Sequence, residues 1–153
     1  HGVLLKMFGM GVMIQGDSGA GKTTAGMMLV HKGHIWIADD AVEIGKRHSQ
    51  RLYAKGCNST QHLIDLKEFG IGDAKRLFDD QRRAAGADLH LILDMAQRDD
   101  ALGGPDSDGF WDVREIMGIR IPCIHIPPCR NPDFDILAIE KKVAAFRRDG
   151  GAS

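Results

Sequence analysis

A glycine-rich octapeptide near the start of the chain constrains the fold more than any other feature. The segment Gly16–Thr23 matches the pattern G-x-x-x-x-G-K-[ST] in full. It follows the short apolar run Val12–Gln15 and precedes residues 22–32, whose apolar spacing is helical. In this order of strand, loop and helix, backbone N–H groups and the helix N-terminus converge on a phosphate. The pattern predicts an α/β domain with a nucleotide site formed by Gly16, Asp17, Ser18, Gly19, Ala20, Gly21, Lys22 and Thr23.

Two side chains of this phosphate loop (Gly16–Thr23), together with Thr24 after it, are candidates for nucleotide contacts. Lys22 is expected to reach the terminal phosphates, and the Thr23 hydroxyl is expected to bind Mg²⁺. ATP and Mg²⁺ are therefore the predicted cofactors. A glycine-rich turn capped by threonine is the alternative, and the complete motif between a strand and a helix disfavours it.

A pair of carboxylates follows the next apolar run. Asp39 and Asp40 end the strand predicted at residues 34–38. Side chains at the carboxyl end of a strand beside a phosphate loop point toward the phosphates. One carboxylate could hold the metal and the other could accept a proton from a hydroxyl nucleophile; a solvated turn is the alternative. The close spacing after Lys22 favours a compact kinase over a GTPase or an AAA-type ATPase.

Composition narrows the class of protein further. The 153 residues fit one domain, and 20 Lys and Arg against 21 Asp and Glu give a net charge of −1. This balance disfavours a general nucleic-acid or membrane-surface binder. The three cysteines have no paired spacing, and no apolar run reaches the ~18 residues of a membrane span. We therefore expect a cytoplasmic protein without a membrane or nucleic-acid partner.

Weaker patterns give the remaining elements. Residues 45–62 are predicted to form a hairpin and loop, and residues 89–95 a buried strand. Pro122 interrupts the strand at 119–126 and predicts an edge position. Asp133 or Asp135 is expected to cap a final helix that runs to about Arg148. The spacing of Cys123, His125 and Cys129 fits no common zinc site, so packing is the favoured interpretation.

Several segments together resemble the catalytic domain of the bacterial HPr kinase/phosphorylase family, whose core is similar to phosphoenolpyruvate carboxykinase. They are His1-Gly2-Val3-Leu4, the phosphate loop, Gly33-His34, Ala38-Asp39-Asp40, residues 62–71 and Cys129-Arg130-Asn131. The resemblance implies an α/β P-loop kinase core with a mixed sheet over residues 1–153. It also implies that the chain is a fragment, or a short family member that lacks an N-terminal domain. The expected assembly is a homo-oligomer, since family members are hexamers.

The resemblance implies an activity: ATP-dependent phosphorylation of a serine in HPr, the carrier protein of the sugar phosphotransferase system, and phosphorolysis in reverse. Asp40 would be the acid/base that takes the serine proton. His1 falls on a catalytic histidine of the family, and Arg130 lies in the loop used in phosphorolysis. Asp65 falls where the family has a metal-binding glutamate. The expected metal ligands are therefore Thr23, Asp39 and Asp65.

The chain departs from the family pattern at positions that bear on the reverse reaction. Thr24 and the pair Lys67-Glu68 stand where the family has Glu and Arg-Gly, and Ala101 occupies the place of a catalytic arginine, with Arg98 nearby. Because a guanidinium binds phosphate in a planar fork that lysine lacks, we expect weak phosphorylase activity. Two other functions stay open: a P-loop kinase of a small hydroxylated metabolite, and a nucleotide-binding regulatory domain without catalysis.

Overall fold

The computed structural model describes residues 2–17, 21–40, 42–48, 50–57, 63–65, 71–95, 110–126 and 132–149. Its strands are β1 (Gly2–Met7), β2 (Met10–Gln15), β3 (Ile35–Asp40), β4 (Val42–His48), β5 (Arg51–Gly56), β6 (Leu63–Asp65), β7 (Ile71–Asp73), β8 (Gly86–Asp94), β9 (Phe110–Ile116) and β10 (Ile119–His125). The helices are α1 (Lys22–His31), α2 (Ala74–Leu77) and α3 (Pro132–Arg148), with a 3₁₀ turn at Asp80–Arg82.

The central sheet is mixed and has the strand order β3-β1-β2-β8-β10-β9. Strands β2, β8 and β10 are parallel neighbours, whereas β1, β3 and β9 run antiparallel to their neighbours. The hairpin β4–β5 joins the amino-terminal half of β8 through β5, and β6 pairs with β7. This mixed α/β architecture confirms the predicted fold class, and it brings the carboxyl ends of three parallel strands to one edge.

Two hydrophobic clusters cover the two faces of the sheet, because side chains alternate along each strand. Helices α1 and α3 pack on one face, through Leu29, Val30, Ile139 and Val143 among others. On the other face, β5 contributes Leu52 and Ala54 to a second buried cluster with residues of the central strands. The helix face therefore carries the phosphate loop, while the opposite face carries the β4–β5 hairpin.

Two local expectations are wrong. Strand β10 lies between β8 and β9 and is no edge strand; its pairing with β8 begins only at Cys123, so Pro122 has a strand neighbour on one side alone. Neither Asp133 nor Asp135 precedes α3, because this helix begins at Pro132 and includes both. Proline suits a first helical position, where its missing N–H would have no partner in any case.

Strand β9 has no counterpart among the predicted elements. It is formed by full-length antiparallel pairing with β10 across a tight turn at Met117 and Gly118. Both turn residues have positive φ, 53° and 81°, the conformation that the type I′ turn of a two-residue hairpin requires. A non-glycine residue such as Met117 is rare there, so the sequence carries little signal for this hairpin.

Candidate active site

The phosphate loop closes on itself through its lysine. Gly21 adopts the left-handed conformation with φ 92° directly before α1, and its carbonyl accepts the Ala25 N–H at 2.8 Å. Lys22 Nζ donates to the carbonyl of Gly16 at 2.6 Å and to that of Asp17 at 3.3 Å. The ammonium group thus lies against the carbonyls at the start of the loop, on the part of the motif that would face a phosphate.

The helix and the acidic strand meet at Thr23 and Asp39. The Thr23 hydroxyl lies 3.3 Å from each carboxylate oxygen of Asp39 and donates to that carboxylate. Asp39 is only 6% exposed. A hydroxyl and a carboxylate are the hard oxygen ligands that Mg²⁺ prefers, so these two predicted metal ligands are brought together and their chemistry fits the ion. Thr24, the next residue of α1, is exposed.

Strand β1 is the spacer that aligns the acidic pair with the phosphate loop. Its register places Val3 opposite both Asp39 and Ile14, and Gly2 opposite Asp40. A Cβ at Gly2 would lie 2.5 Å from the carbonyl oxygen of Ile14, so only glycine permits this close approach of β1 to β2. The backbone of Asp40 therefore ends β3 two strands away from the start of the phosphate loop.

The remaining predicted site residues fall wholly or partly outside the described residues. This is the case for His1, Ser18, Gly19, Ala20 and Arg130. The backbones of Asp40 and Asp65 are described, but their side chains are not. Strand β6, which ends at Asp65, adjoins β3. The catalytic roles of His1, Asp40 and Arg130 and the metal role of Asp65 stay predictions.

A polar cluster that the sequence analysis did not identify lies at the carboxyl ends of the parallel strands. Gln15 stands in register with Asp94 on β8, which stands in register with His125 on β10. Arg114 of β9 donates from Nη1 to Gln15 Oε1 at 2.6 Å and from Nη2 to Asp94 Oδ2. His125 Nδ1 lies 3.4 Å from that same Asp94 oxygen. This cluster (Gln15, Asp94, Arg114, His125) therefore joins three strand ends beside the phosphate loop.

Two acidic side chains and a thiol surround His125. Its Nε2 atom lies 3.5 Å from Asp112 Oδ2 and 3.9 Å from Cys123 Sγ. Asp94, Cys123 and His125 are close enough together to hold a metal ion. The Arg114 guanidinium on Asp94 opposes a second cation there, because like charges repel strongly at partly buried sites. Asp94 directly ends an apolar run beside the phosphate-loop strand, and this signal in the sequence could have identified it.

Comparisons with known proteins show which family and which fold the chain is similar to. The family model described as the HPr Serine kinase C-terminal domain matches residues 1–149. A solved structure of the HPr(Ser) kinase/phosphatase from Coxiella burnetii superimposes with a TM-score of 0.81 at 21% identity, covering 96% of this chain and 97% of that one. At that identity the superposition establishes the shared fold.

Curated relatives have higher sequence identity. The HPr kinase/phosphorylase of Alkaliphilus metalliredigens is 37% identical over 138 residues, which are 86% of this chain and 43% of the relative. That of Caldicellulosiruptor bescii is 36% identical over 153 residues, 95% of this chain and 46% of the relative. The chain thus spans less than half the length of these relatives. Because the family model covers nearly all of it, the chain belongs to the family of HPr serine kinase C-terminal domains.

Proposed function

We propose that this chain is the catalytic domain of an ATP-dependent protein-serine kinase that phosphorylates HPr. The observation that carries the proposal is the meeting of a lysine-closed phosphate loop with the Thr23–Asp39 pair. Such an arrangement can bind a nucleotide and its metal in one place. The relatives named HPr kinase/phosphorylase support the choice of acceptor.

The residues of the phosphate loop would bind ATP. Lys22 would exchange its contacts with the Gly16 and Asp17 carbonyls for the terminal phosphate oxygens. Thr23 and Asp39 would hold Mg²⁺, which neutralises charge on the phosphates when bound. Lys22 and Thr23 are the first two residues of α1, whose N-terminal dipole adds to the positive potential.

The transfer step needs a base for the acceptor serine. Asp40 would take the hydroxyl proton as the serine oxygen forms a bond to the γ-phosphorus and the bond to ADP breaks. In the reverse reaction, inorganic phosphate would attack phosphoserine, pyrophosphate would leave, and Asp40 would return the proton to the serine oxygen. His1 and Arg130 are the further candidates for contacts with the transferred phosphoryl group.

The proposal extends to partners and location. An HPr-like phosphocarrier would be the protein substrate, and the cytoplasm would be the compartment that both share. Among the described residues, no helix is long and apolar enough to cross a membrane. A homo-oligomer, with a hexamer as the expected form, would be the assembly.

The test is phosphoryl transfer from labelled ATP to purified HPr with Mg²⁺, followed by mass mapping of the modified residue. Phosphate on an HPr serine is the expected result, and HPr with that serine changed to alanine is the control acceptor. Nucleotide binding without transfer to HPr would contradict the proposal. Transfer to small hydroxylated compounds would then favour a metabolite kinase, and no transfer to either class would favour a regulatory domain.

A further inference from the structure

We propose that Arg114 is a positioning residue for the phosphate loop and that it acts through Gln15. The proposal rests on the nucleotide site of the proposed function, but it does not depend on which molecule accepts the phosphate. Arg114 is distant in sequence from the phosphate loop and belongs to none of its motifs. A continuous series of contacts nevertheless connects its guanidinium to Lys22.

The first step is the anchoring of the guanidinium. Arg114 binds Asp94 through Nη2, and the side chain of Asp94 is only 9% exposed whereas that of Arg114 is 37% exposed. Arginine presents several N–H donors in one rigid plane, so it can bind two acceptors at once. The buried carboxylate therefore fixes the plane from which Nη1 reaches Gln15.

The second step is the double restraint on Gln15. Its side-chain Oε1 accepts from Arg114 at 2.6 Å, and its backbone carbonyl accepts from the Met95 N–H at 2.7 Å. Gln15 is the last residue of β2, and it directly precedes the loop. The side-chain contact therefore holds the residue from which the loop departs, in addition to the backbone pairing with β8.

The third step reaches the catalytic lysine. The carbonyl of Gly16, which follows Gln15, accepts from Lys22 Nζ at 2.6 Å. A change in the orientation of Gln15 would move this carbonyl and with it the resting position of the ammonium group. Misplacing a binding group by about 1 Å can cost ~10²-fold in activity, so loss of Arg114 should weaken nucleotide binding without any contact between Arg114 and the nucleotide.

The experiment measures binding of a fluorescent ATP analogue with Mg²⁺ to the full chain and its variants. Arg114→Met removes the fork, Arg114→Lys keeps one charge, and Gln15→Leu removes the acceptor. The double variant Gln15→Leu/Arg114→Met tests whether the two residues act in series. Arg120→Met is the matched control, because Arg120 is an exposed arginine of the neighbouring strand β10.

We expect Arg114→Met and Gln15→Leu each to raise the Kd by roughly 10-fold, a fraction of the cost of a full misplacement. The Kd of the double variant should be no higher than that of the more weakly binding single variant. The Kd of Arg114→Lys should lie between those of the parent and Arg114→Met, and the Kd of Arg120→Met should match that of the parent. A purely structural ion pair would lower the melting temperature and leave the Kd unchanged, and that result would overturn the proposal. Additive losses in the double variant would also overturn it.

The test stays decisive if one variant fails to fold and if HPr is not the acceptor. If Arg114→Met does not fold, Gln15→Leu and Arg114→Lys carry the test, since both keep the buried Asp94 beside a cation. Because the readout is binding, the pattern of Kd values can hold even if HPr is never phosphorylated. Failure of the proposed acceptor and failure of this inference are thus separate outcomes.

Discussion

The hydroxyl of Thr23 lies 3.3 Å from both carboxylate oxygens of Asp39, so the first turn of α1 and the end of β3 share one site. Strand β1 separates β3 from β2 in the sheet, and its Gly2 closely approaches the backbone of β2 at Ile14. The contact between Thr23 and Asp39 therefore depends on the packing of β1, α1 and β3 together.

Lys22→Ala should abolish nucleotide binding and leave the fold intact. The Lys22 ammonium contacts loop carbonyls, so we expect its charge to contribute to phosphate binding and little to packing. The measurement is the rise in melting temperature on adding ATP and Mg²⁺. Lys32→Ala, an exposed position just after the same helix, is the control, and an equal rise in Lys22→Ala and parent would refute the role of the loop.

Asp40→Asn should keep ATP binding and slow phosphoryl transfer to HPr. Asparagine is nearly the same size but cannot take the serine proton, and loss of a general base typically costs ~10²–10⁴-fold. Single-turnover transfer from labelled ATP gives the rate, and the ATP-induced thermal shift confirms that binding is kept. Transfer at the parent rate would exclude Asp40 as the base and would leave Asp39 and His1 as candidates.

Gly2→Ala should destabilise the domain. The new methyl group would meet the backbone oxygen of Ile14 at 2.5 Å, and a strand backbone cannot move aside without disturbing its hydrogen bonds. Overpacking of this kind costs about 1–3 kcal/mol. Chemical denaturation measures the loss, and Gly45→Ala in β4, where a Cβ meets nothing within 4 Å, is the control. Equal stabilities of the two variants would contradict the close approach.

The phosphate loop and the acidic pair could be predicted from sequence because each depends on local chemistry. A complete motif between a strand and a helix fixes Lys22 and Thr23, and two acids after an apolar run fix Asp39. The Arg114 contacts could not be predicted, because they join residues 99 and 20 positions apart. The pairing of β9 with β10 brings this arginine near Gln15, and the sequence carries little signal for the hairpin turn at Met117.

Phosphorolysis should be weaker than phosphorylation in this protein. In the proposed mechanism both directions would use the phosphate loop, Mg²⁺ and Asp40, whereas phosphorolysis would also have to bind inorganic phosphate beside phosphoserine. Guanidinium groups suit that second anion, yet the resemblance to the family places Ala101 and Lys67 at positions of family arginines, and Arg130 remains. Pyrophosphate release from phosphoserine-HPr at saturating phosphate should fall below the forward rate of the same preparation. Equal rates would contradict this prediction and would implicate another arginine, such as Arg98.

The stability of the domain should fall as the pH drops below the ordinary histidine range, in part because of His90. Burial lowers the pKa of His90 below its ordinary value of 6.5, and the hydrogen bond to the Asp88 carbonyl and the Asp88 charge offset only part of that effect. The neutral ring is the favoured form in the folded chain, so the unfolded chain takes up the proton first as the pH falls. The stability contribution of the neutral His90 ring is therefore fully present above pH 6.5. It is lost progressively as the pH falls from 6.5 through the lower pKa of the folded chain.

Denaturation midpoints of parent and His90→Gln, measured across this range, should converge or cross at acid pH, whereas His31→Gln at an exposed site should follow the parent. A constant difference between parent and His90→Gln at every pH would show that His90 does not titrate differently in the folded chain.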